Sequence, residues 1–541
     1  MITALRPLVL IRGFGGLDER DEQRNAYQGF NDGTVYPGKR GESYIYEGFL
    51  LRALKSEVYP YSDATNVVGY YASDLSTPED CADWDPGVVS GSIVIDPATA
   101  RTALRHGVAG TMWVYRYYDL IPRSLARYGE GLTRLIRLIQ TAAARHDEEF
   151  DGVDVIAHSM GGLVLRAALS QLEQQSPGSA AKLIHRVVTL GTPHRGISFQ
   201  RIPRWLLERL PAVEQSADEI AAFDPHSIAF RDVGRWFPVE RILTVVGTNH
   251  RTYGNSAADL LNRLFSLVDE GSADRRRTDG LVTHSGAQLP GAPRTFVHKC
   301  HGGPDSLVTS REAFEIAMRF FHATHRARLW LDEALVRGGN RSPGCREYWF
   351  GVSIKPRFVD FDLFHQSPEA ENCYGPFQRP DLTDDLPDLA TELYKSLAEP
   401  GDRTTGWAGP DRLIWDGWFD ERLRPEAAQG LVFRLDVNVG ERDLSGPGFS
   451  DNIVFRKQYF AQIFPDSPPA FFLHTGERYL DVRNPVTREQ LDELAGTGPT
   501  ALVQRPQAAP ESRASTGTWN LQVGGTDFAA TLRLEITAVT N

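Results

Sequence analysis

The chain has 541 residues, of which 41% are hydrophobic and 24% charged, and it carries a formal net charge of −12. That length accommodates two or three domains with a sizeable core, and the composition is that of an ordinary soluble globular protein. The acidic balance argues against a nucleic-acid binder, no apolar run approaches the roughly 18 residues of a membrane span, and the four cysteines, Cys81, Cys300, Cys345 and Cys373, show no metal-ligand spacing.

After Met1 there is no basic region and long apolar run of a secretory leader. The expectation is reduced thiols and a cytoplasmic protein, with export by a leaderless route left open. Leu8-Val9-Leu10-Ile11 reads as a short buried strand, followed at once by Arg12-Gly13-Phe14-Gly15-Gly16. A glycine turn directly after a strand lets the backbone approach a ligand closely. The turn lacks the spacing of a dinucleotide loop and the lysine of a phosphate loop, so no nucleotide cofactor is expected.

Residues 18–48 read as a polar surface loop. A helix is expected over 48–57, with Phe49, Leu50, Ala53 and Leu54 on one face. Val67–Tyr71 is a second strand, 72–110 an irregular insertion, and Met112–Tyr117 a third strand. From about Gly131 to His146, Leu132, Leu135, Ile136 and Ile139 mark the buried stripe of a helix.

Val153-Asp154-Val155-Ile156-Ala157 then forms an apolar strand that ends in His158-Ser159-Met160-Gly161-Gly162, before a helical pattern at Leu163, Val164, Ala167, Ala168 and Leu172. This is strand, sharp turn, helix, with a serine on the turn. The turn projects the serine oxygen, and the helix start aims its N–H groups at developing negative charge. Ala157 and Gly161 are small, as close approach of strand and helix requires.

Further strands are expected at Arg186–Leu190, closed by Gly191-Thr192-Pro193-His194-Arg195-Gly196, at Ile242–Gly247 and at Arg294–His298, with a helix over 311–322. Residues 197–235 carry an apolar cluster, Trp205, Leu206, Leu207 and Leu210, that fits either a lid or a packed helix pair. Apolar strands alternating with helices indicate a mostly parallel sheet covered on both faces, with its site beyond the C-terminal strand ends.

A serine hydroxyl needs a base, and the base needs an orienting carboxylate. In such folds the order along the chain is serine, acid, histidine. His301, in the loop before the last helix, is the first candidate for the base, and His298, in the strand run, is the second. Asp279, in Thr278-Asp279-Gly280-Leu281-Val282, is the first candidate for the acid and Asp274 the second. The backbone amides of Met160 and Phe14 are candidates for the oxyanion hole. Gly13 and His158 are candidates for substrate-facing positions. This chemistry needs no cofactor or metal.

From about residue 326 the periodicity changes. Leu431, Phe433, Leu435 and Val437 alternate with Val432, Arg434, Asp436 and Asn438, and Leu532, Leu534 and Ile536 alternate with Arg533 and Glu535. Period-2 runs between turn residues read as an antiparallel β-sandwich. The expected organisation is an α/β domain over 1–325 and a β-rich domain over 326–541.

Residues 8–322 resemble the α/β-hydrolase superfamily, in its lipase and carboxylester-hydrolase branch. Arg12–Gly16 is similar to that branch's His-Gly-x-x-Gly turn, with Arg12 in place of the histidine. Ala157–Gly162 resembles its nucleophile elbow, with Ala157 in place of the first glycine, and Leu190–Gly196 resembles its companion segment. Asp279–Val282 resembles the displaced acid loop of bacterial triacylglycerol lipases, and His301 stands at the usual histidine position. The resemblance implies a serine ester hydrolase with a lipid or acyl-ester substrate, with contact to a lipid surface as a further expectation. Phospholipase or acyltransferase chemistry on the same fold, and a silent binding protein on a hydrolase scaffold, are the alternatives. The C-terminal half resembles, loosely, the β-sandwich lipid- or sugar-binding modules of some lipases.

Overall fold

The structure is a computed structural model. It describes residues 5–13, 47–69, 93–95, 106–117, 124–194, 233–250, 278–284, 286–289, 291–302, 305–336, 346–370, 372–378, 413–423, 430–443, 451–464, 469–480, 486–496, 501–506, 508 and 516–539. The chain divides into two compact units, Met1–Arg294 with Lys299–Ala317, and Thr295–His298 with Met318–Asn541.

The first sheet contains β1 (Leu8–Ile11), β2 (Asp63–Gly69), β3 (Ile93–Ile95), β4 (Thr111–Arg116), β5 (Val153–His158), β6 (Ile184–Leu190), β7 (Ile242–Gly247) and β8 (Arg294–Val297), in the order β3-β2-β4-β1-β5-β6-β7-β8. Six neighbouring strands, from β2 through β7, run parallel. Strand β3 is antiparallel to β2, a pairing missed in the stretch expected to be irregular. Three residues, Ile93-Val94-Ile95, are too short a run for periodicity to separate strand from loop.

Helices α1 (Glu47–Leu54), α2 (Leu125–Arg145), α3 (Gly161–Gln175) and α4 (Arg311–His322) accompany the strands. Central strands buried on both faces require apolar residues at successive positions, and β1, β4, β5 and β7 are buried throughout. Val9, Ile11, Trp113, Tyr115, Val153, Val155 and Ala157 share one core with Leu132, Leu135, Ile136 and Ile139 of α2 and Val164, Ala168 and Leu172 of α3. Burying each such aliphatic side chain stabilises the fold by about 1.5–3 kcal/mol.

Helix α2 starts six residues earlier than its aliphatic stripe indicates, because Ser124 caps it: the Ser124 side chain accepts from the Arg127 N–H at 3.2 Å. In α1, Phe49, Leu50 and Ala53 are buried as expected, but Leu54 is exposed. Ala167 of α3 is only half-buried, while Arg166 is buried in its place on the inner face. Strand β8 ends at Val297, so His298 lies past the strand and is half-buried rather than inside it.

The second unit contains β9 (His325–Val336), β10 (Arg346–Pro356), β11 (Phe364–His365), β12 (Tyr374–Gln378), β13 (Leu413–Phe419), β14 (Leu431–Asp443), β15 (Asp451–Phe464), β16 (Ala470–His474), β17 (Ala495–Gly496), β18 (Val503–Gln504), β19 (Thr516–Gly524) and β20 (Phe528–Ala538). One sheet has the order β11-β10-β14-β15-β16-β18-β17, with β12 also on β10, and a second has the order β13-β9-β20-β19. All pairs are antiparallel except β17 with β18.

The period-2 alternation is the cause. Phe433, Leu435 and Val437 of β14 and Leu532, Leu534 and Ile536 of β20 are buried, while the residues between them carry charge. Aromatic rings join the two inner faces: Phe528 lies 5.1 Å from Phe455, Trp519 stacks on Phe471 at 5.5 Å, and Phe419 stacks on Phe433 at 5.4 Å. The 197–235 segment, which fits either a lid or a packed helix pair, lies almost wholly outside the described residues.

Candidate active site

Strands β1, β5, β6 and β7 end along one edge of the parallel sheet, and the polar groups singled out above collect there. Ser159 directly follows β5 and has φ 52°, a left-handed conformation that a serine adopts at a cost of roughly 1–3 kcal/mol. Its N–H donates to the Leu190 carbonyl at 2.9 Å, which ties the turn to the end of β6. Helix α3 begins immediately after it, with Met160 as N-cap and no side-chain cap on its first turn. The helix start therefore faces Ser159 with its N–H dipole. Gly161 is required by close approach: a Cβ there would lie 2.5 Å from the Arg12 carbonyl oxygen and 2.8 Å from that of Ile11.

Ser159 Oγ lies 2.8 Å from His301 Nε2, and His301 Nδ1 lies 2.9 Å from Asp279 Oδ2. Asp279 and His301 are both buried. The other carboxylate oxygen of Asp279 accepts from the N–H groups of Leu281 at 3.0 Å and Val282 at 2.7 Å. The carboxylate is thus fixed by its own turn, and the His301 N–H donates to the Asp279 carbonyl at 2.8 Å. A carboxylate on Nδ1 holds the proton there and leaves Nε2 as an acceptor for the serine hydroxyl. Hydroxyl, imidazole and carboxylate in this line can pass a proton away from the serine oxygen.

Two glycines make room for the line. Gly191, at the end of β6, has φ 55°, and a Cβ on it would lie 2.8 Å from Asp279 Oδ2 and 3.0 Å from His301 Nδ1. Gly247, at the end of β7, would place a Cβ 2.5 Å from the Asp279 Cβ. No carboxylate follows β7 directly, where the chain reads Thr248-Asn249. Asp279 instead packs over the bare end of that strand.

The remaining candidates are placed as follows. Met160 caps α3 beside the serine. Gly13 lies against His158 and Ser159: a Cβ there would meet His158 Nδ1 at 2.7 Å and the Ser159 Cβ at 3.1 Å. His158 is buried, with Nε2 2.9 Å from the His301 carbonyl oxygen. Asp154 sits near the start of β5, away from the serine, with His185 Nδ1 at 2.8 Å. Phe14 and Asp274 lie outside the described residues. Among the described residues no group of three or more His, Cys, Asp or Glu could hold a metal ion.

Sequence reasoning missed two buried supports. Arg166 Nη1 donates to the His194 carbonyl at 2.7 Å, and His194 Nε2 lies 2.9 Å from Thr189 Oγ1. Burial pushes the Arg166 guanidinium down to about 9 and also drives the His194 imidazole well below its ordinary value. The two residues anchor the Gly191–His194 turn to α3 and β6. Arg166 stands three positions after Leu163, on the inward stripe of α3, and that spacing was the available signal.

The PGAP1-like alpha/beta domain family matches residues 118–206, the stretch that holds α2, β5, the Ser159 turn, α3 and β6. No curated protein matches the chain. Among solved structures, the lin2722 gene product of Listeria innocua is 11% identical, with 59% of this chain and 94% of that one covered at a TM-score of 0.32. Phospholipase PlaB from Legionella pneumophila is 8% identical, with 72% of this chain and 89% of that one covered at a TM-score of 0.26. By the order of its parallel strands and by the strand–serine–helix elbow at Ser159, the chain has an α/β-hydrolase-like fold.

Proposed function

We propose that this protein is a serine ester hydrolase that cleaves lipid or acyl esters through an acyl-enzyme on Ser159. One observation carries the reading: a serine held at positive φ stands 2.8 Å from an imidazole whose other nitrogen stands 2.9 Å from a buried carboxylate. Ser159 Oγ attacks the ester carbonyl while His301 Nε2 takes its proton, and Asp279 stabilises the imidazolium that forms. The N–H of Met160, supplemented by that of Phe14, receives the oxyanion; each such donor contributes about 3 kcal/mol of transition-state stabilisation. His301 then protonates the leaving alcohol. Water, deprotonated by the same imidazole, attacks the acyl-enzyme and releases the carboxylic acid and Ser159.

The test is a p-nitrophenyl ester panel from acetate to palmitate, run on the wild type and Ser159→Ala. The expected result is hydrolysis with a clear chain-length optimum that Ser159→Ala abolishes. Equal rates in the two proteins would overturn the reading. Turnover only when an acceptor alcohol is supplied would reassign the same acyl-enzyme to acyl transfer.

A further inference from the structure

The residue before Ser159 is a second buried histidine. His158 ends β5, and its ring centroid lies 5.0 Å from that of His301. Its Nε2 lies 2.9 Å from the main-chain carbonyl oxygen of His301. A carbonyl oxygen only accepts, so Nε2 carries the proton and Nδ1 is the acceptor nitrogen of the neutral ring. That nitrogen faces the turn after β1, where a Cβ on Gly13 would lie 2.7 Å away. The ring is therefore wedged between the turn of Gly13 and the loop of His301.

Burial is the first cause that holds His158 down to about 3, followed by the charge of His301; the carbonyl bond opposes this and the charge of Arg12 adds to it. A neutral ring has one donor with one direction. A protonated ring would set a like charge beside the imidazolium that His301 becomes in the reaction, and would oppose its formation.

We propose that His158 is a positioning residue, whose Nε2–H fixes the His301 backbone so that the His301 ring meets Ser159. The inference rests on the reading of Ser159 as nucleophile and His301 as base. It makes His158 a support of the site and gives it no contact with substrate.

The test uses the intact chain with two substitutions. His158→Phe keeps an aromatic ring and removes the donor, and His158→Gln returns an N–H near the position of Nε2. We expect His158→Phe to lose roughly 10- to 100-fold in kcat on a short ester with KM within about twofold, since small misplacement of a reacting group costs about that much. His158→Gln should recover most of the loss. In the wild type, ¹⁵N NMR should show His158 as the neutral Nε2–H tautomer from about pH 5 to 9.

Unchanged kcat in His158→Phe, equal losses in both variants, or a His158 that titrates or carries Nδ1–H in that range would each overturn the proposal. A wild type with no esterase activity would sink the hydrolase reading and this role together. An active wild type with an equally active His158→Phe variant would sink the role alone.

Discussion

The two units bury comparable kinds of polar side chain and use them in opposite ways. In the parallel-sheet unit, Ser159, Asp279 and His301 come from segments far apart in sequence and point at one another across a strand edge. In the antiparallel unit, charged residues pair along their own sheet. Arg326 of β9 grips Asp416 of the neighbouring β13 with Nε at 2.7 Å and Nη2 at 2.5 Å, and Arg533 of β20 meets Asp332 of β9 at 3.0 Å. The first arrangement leaves a hydroxyl in a strained turn facing an imidazole. The second pairs these charges with neighbours on the same sheet. Buried polarity alone therefore does not mark a site; convergence of distant segments on a serine at positive φ does.

The sharpest way to break this comparison is to make one substitution in each unit. Asp279→Asn keeps the size of the side chain and removes the charge that orients His301. It should lower kcat about 10⁴-fold with little change in Tm. Asp416→Asn should do the reverse, lowering stability by about 1–3 kcal/mol, since the buried carboxylate that holds the partly exposed Arg326 loses its charge, while kcat per folded molecule is kept. Kinetics and thermal melts of both variants would check this, and interchangeable effects would void the distinction.

Glycines give a second, smaller contrast. Gly191→Ala would set a methyl against Asp279 and His301 at a residue with φ 55°, and kcat should fall about 100-fold. In the antiparallel unit a Cβ on Gly517 would meet the Trp519 indole at 1.8 Å. Gly517→Val should accordingly cost about 1–3 kcal/mol of stability, read as a lower Tm, with turnover unchanged.

Acid provides the mildest test. Burial holds His158 down to about 3 and lowers His194 in the first unit, and it holds His474 down to about 4 in the second. In all three the folded value lies below that of a free histidine near 6.5, so the unfolded chain binds more protons as pH falls. Stability is full above about pH 6.5 and declines below it, by up to about 1.4 kcal/mol per pH unit for each histidine. Melting scans from pH 7.5 to 5 should show both units losing Tm. A flat profile would contradict the neutral, buried state of these rings.

Much of the first unit was legible because its signals are local. A doubly buried strand has to be an apolar run, and a serine elbow has to have small neighbours, so β1, β5, β6 and β7 and the Ser159 turn stand out in the sequence. Strand β3 did not, because three residues carry no period. Ser124 as a cap did not, because attention to the aliphatic stripe starts the helix too late. The supports around the site were the least visible. Gly191 and Gly247 matter through what sits over them, and Asp279 reaches that place from beyond the next stretch of chain. Arg166 and His194 are polar residues whose burial only the folded packing reveals. In the second unit the alternation of β14 and β20 announced a half-buried sheet, but sheet order depends on long-range pairing that alternation does not encode.

The central claim is that the hydroxyl of Ser159 is the nucleophile. Incubating the wild type and Ser159→Ala with a fluorophosphonate and locating the adduct by peptide mass spectrometry tests it directly. The account predicts one phosphonyl group, on the peptide containing Ser159, and none on the variant. No adduct on the wild type, or an adduct on another serine that persists in the variant, would contradict it.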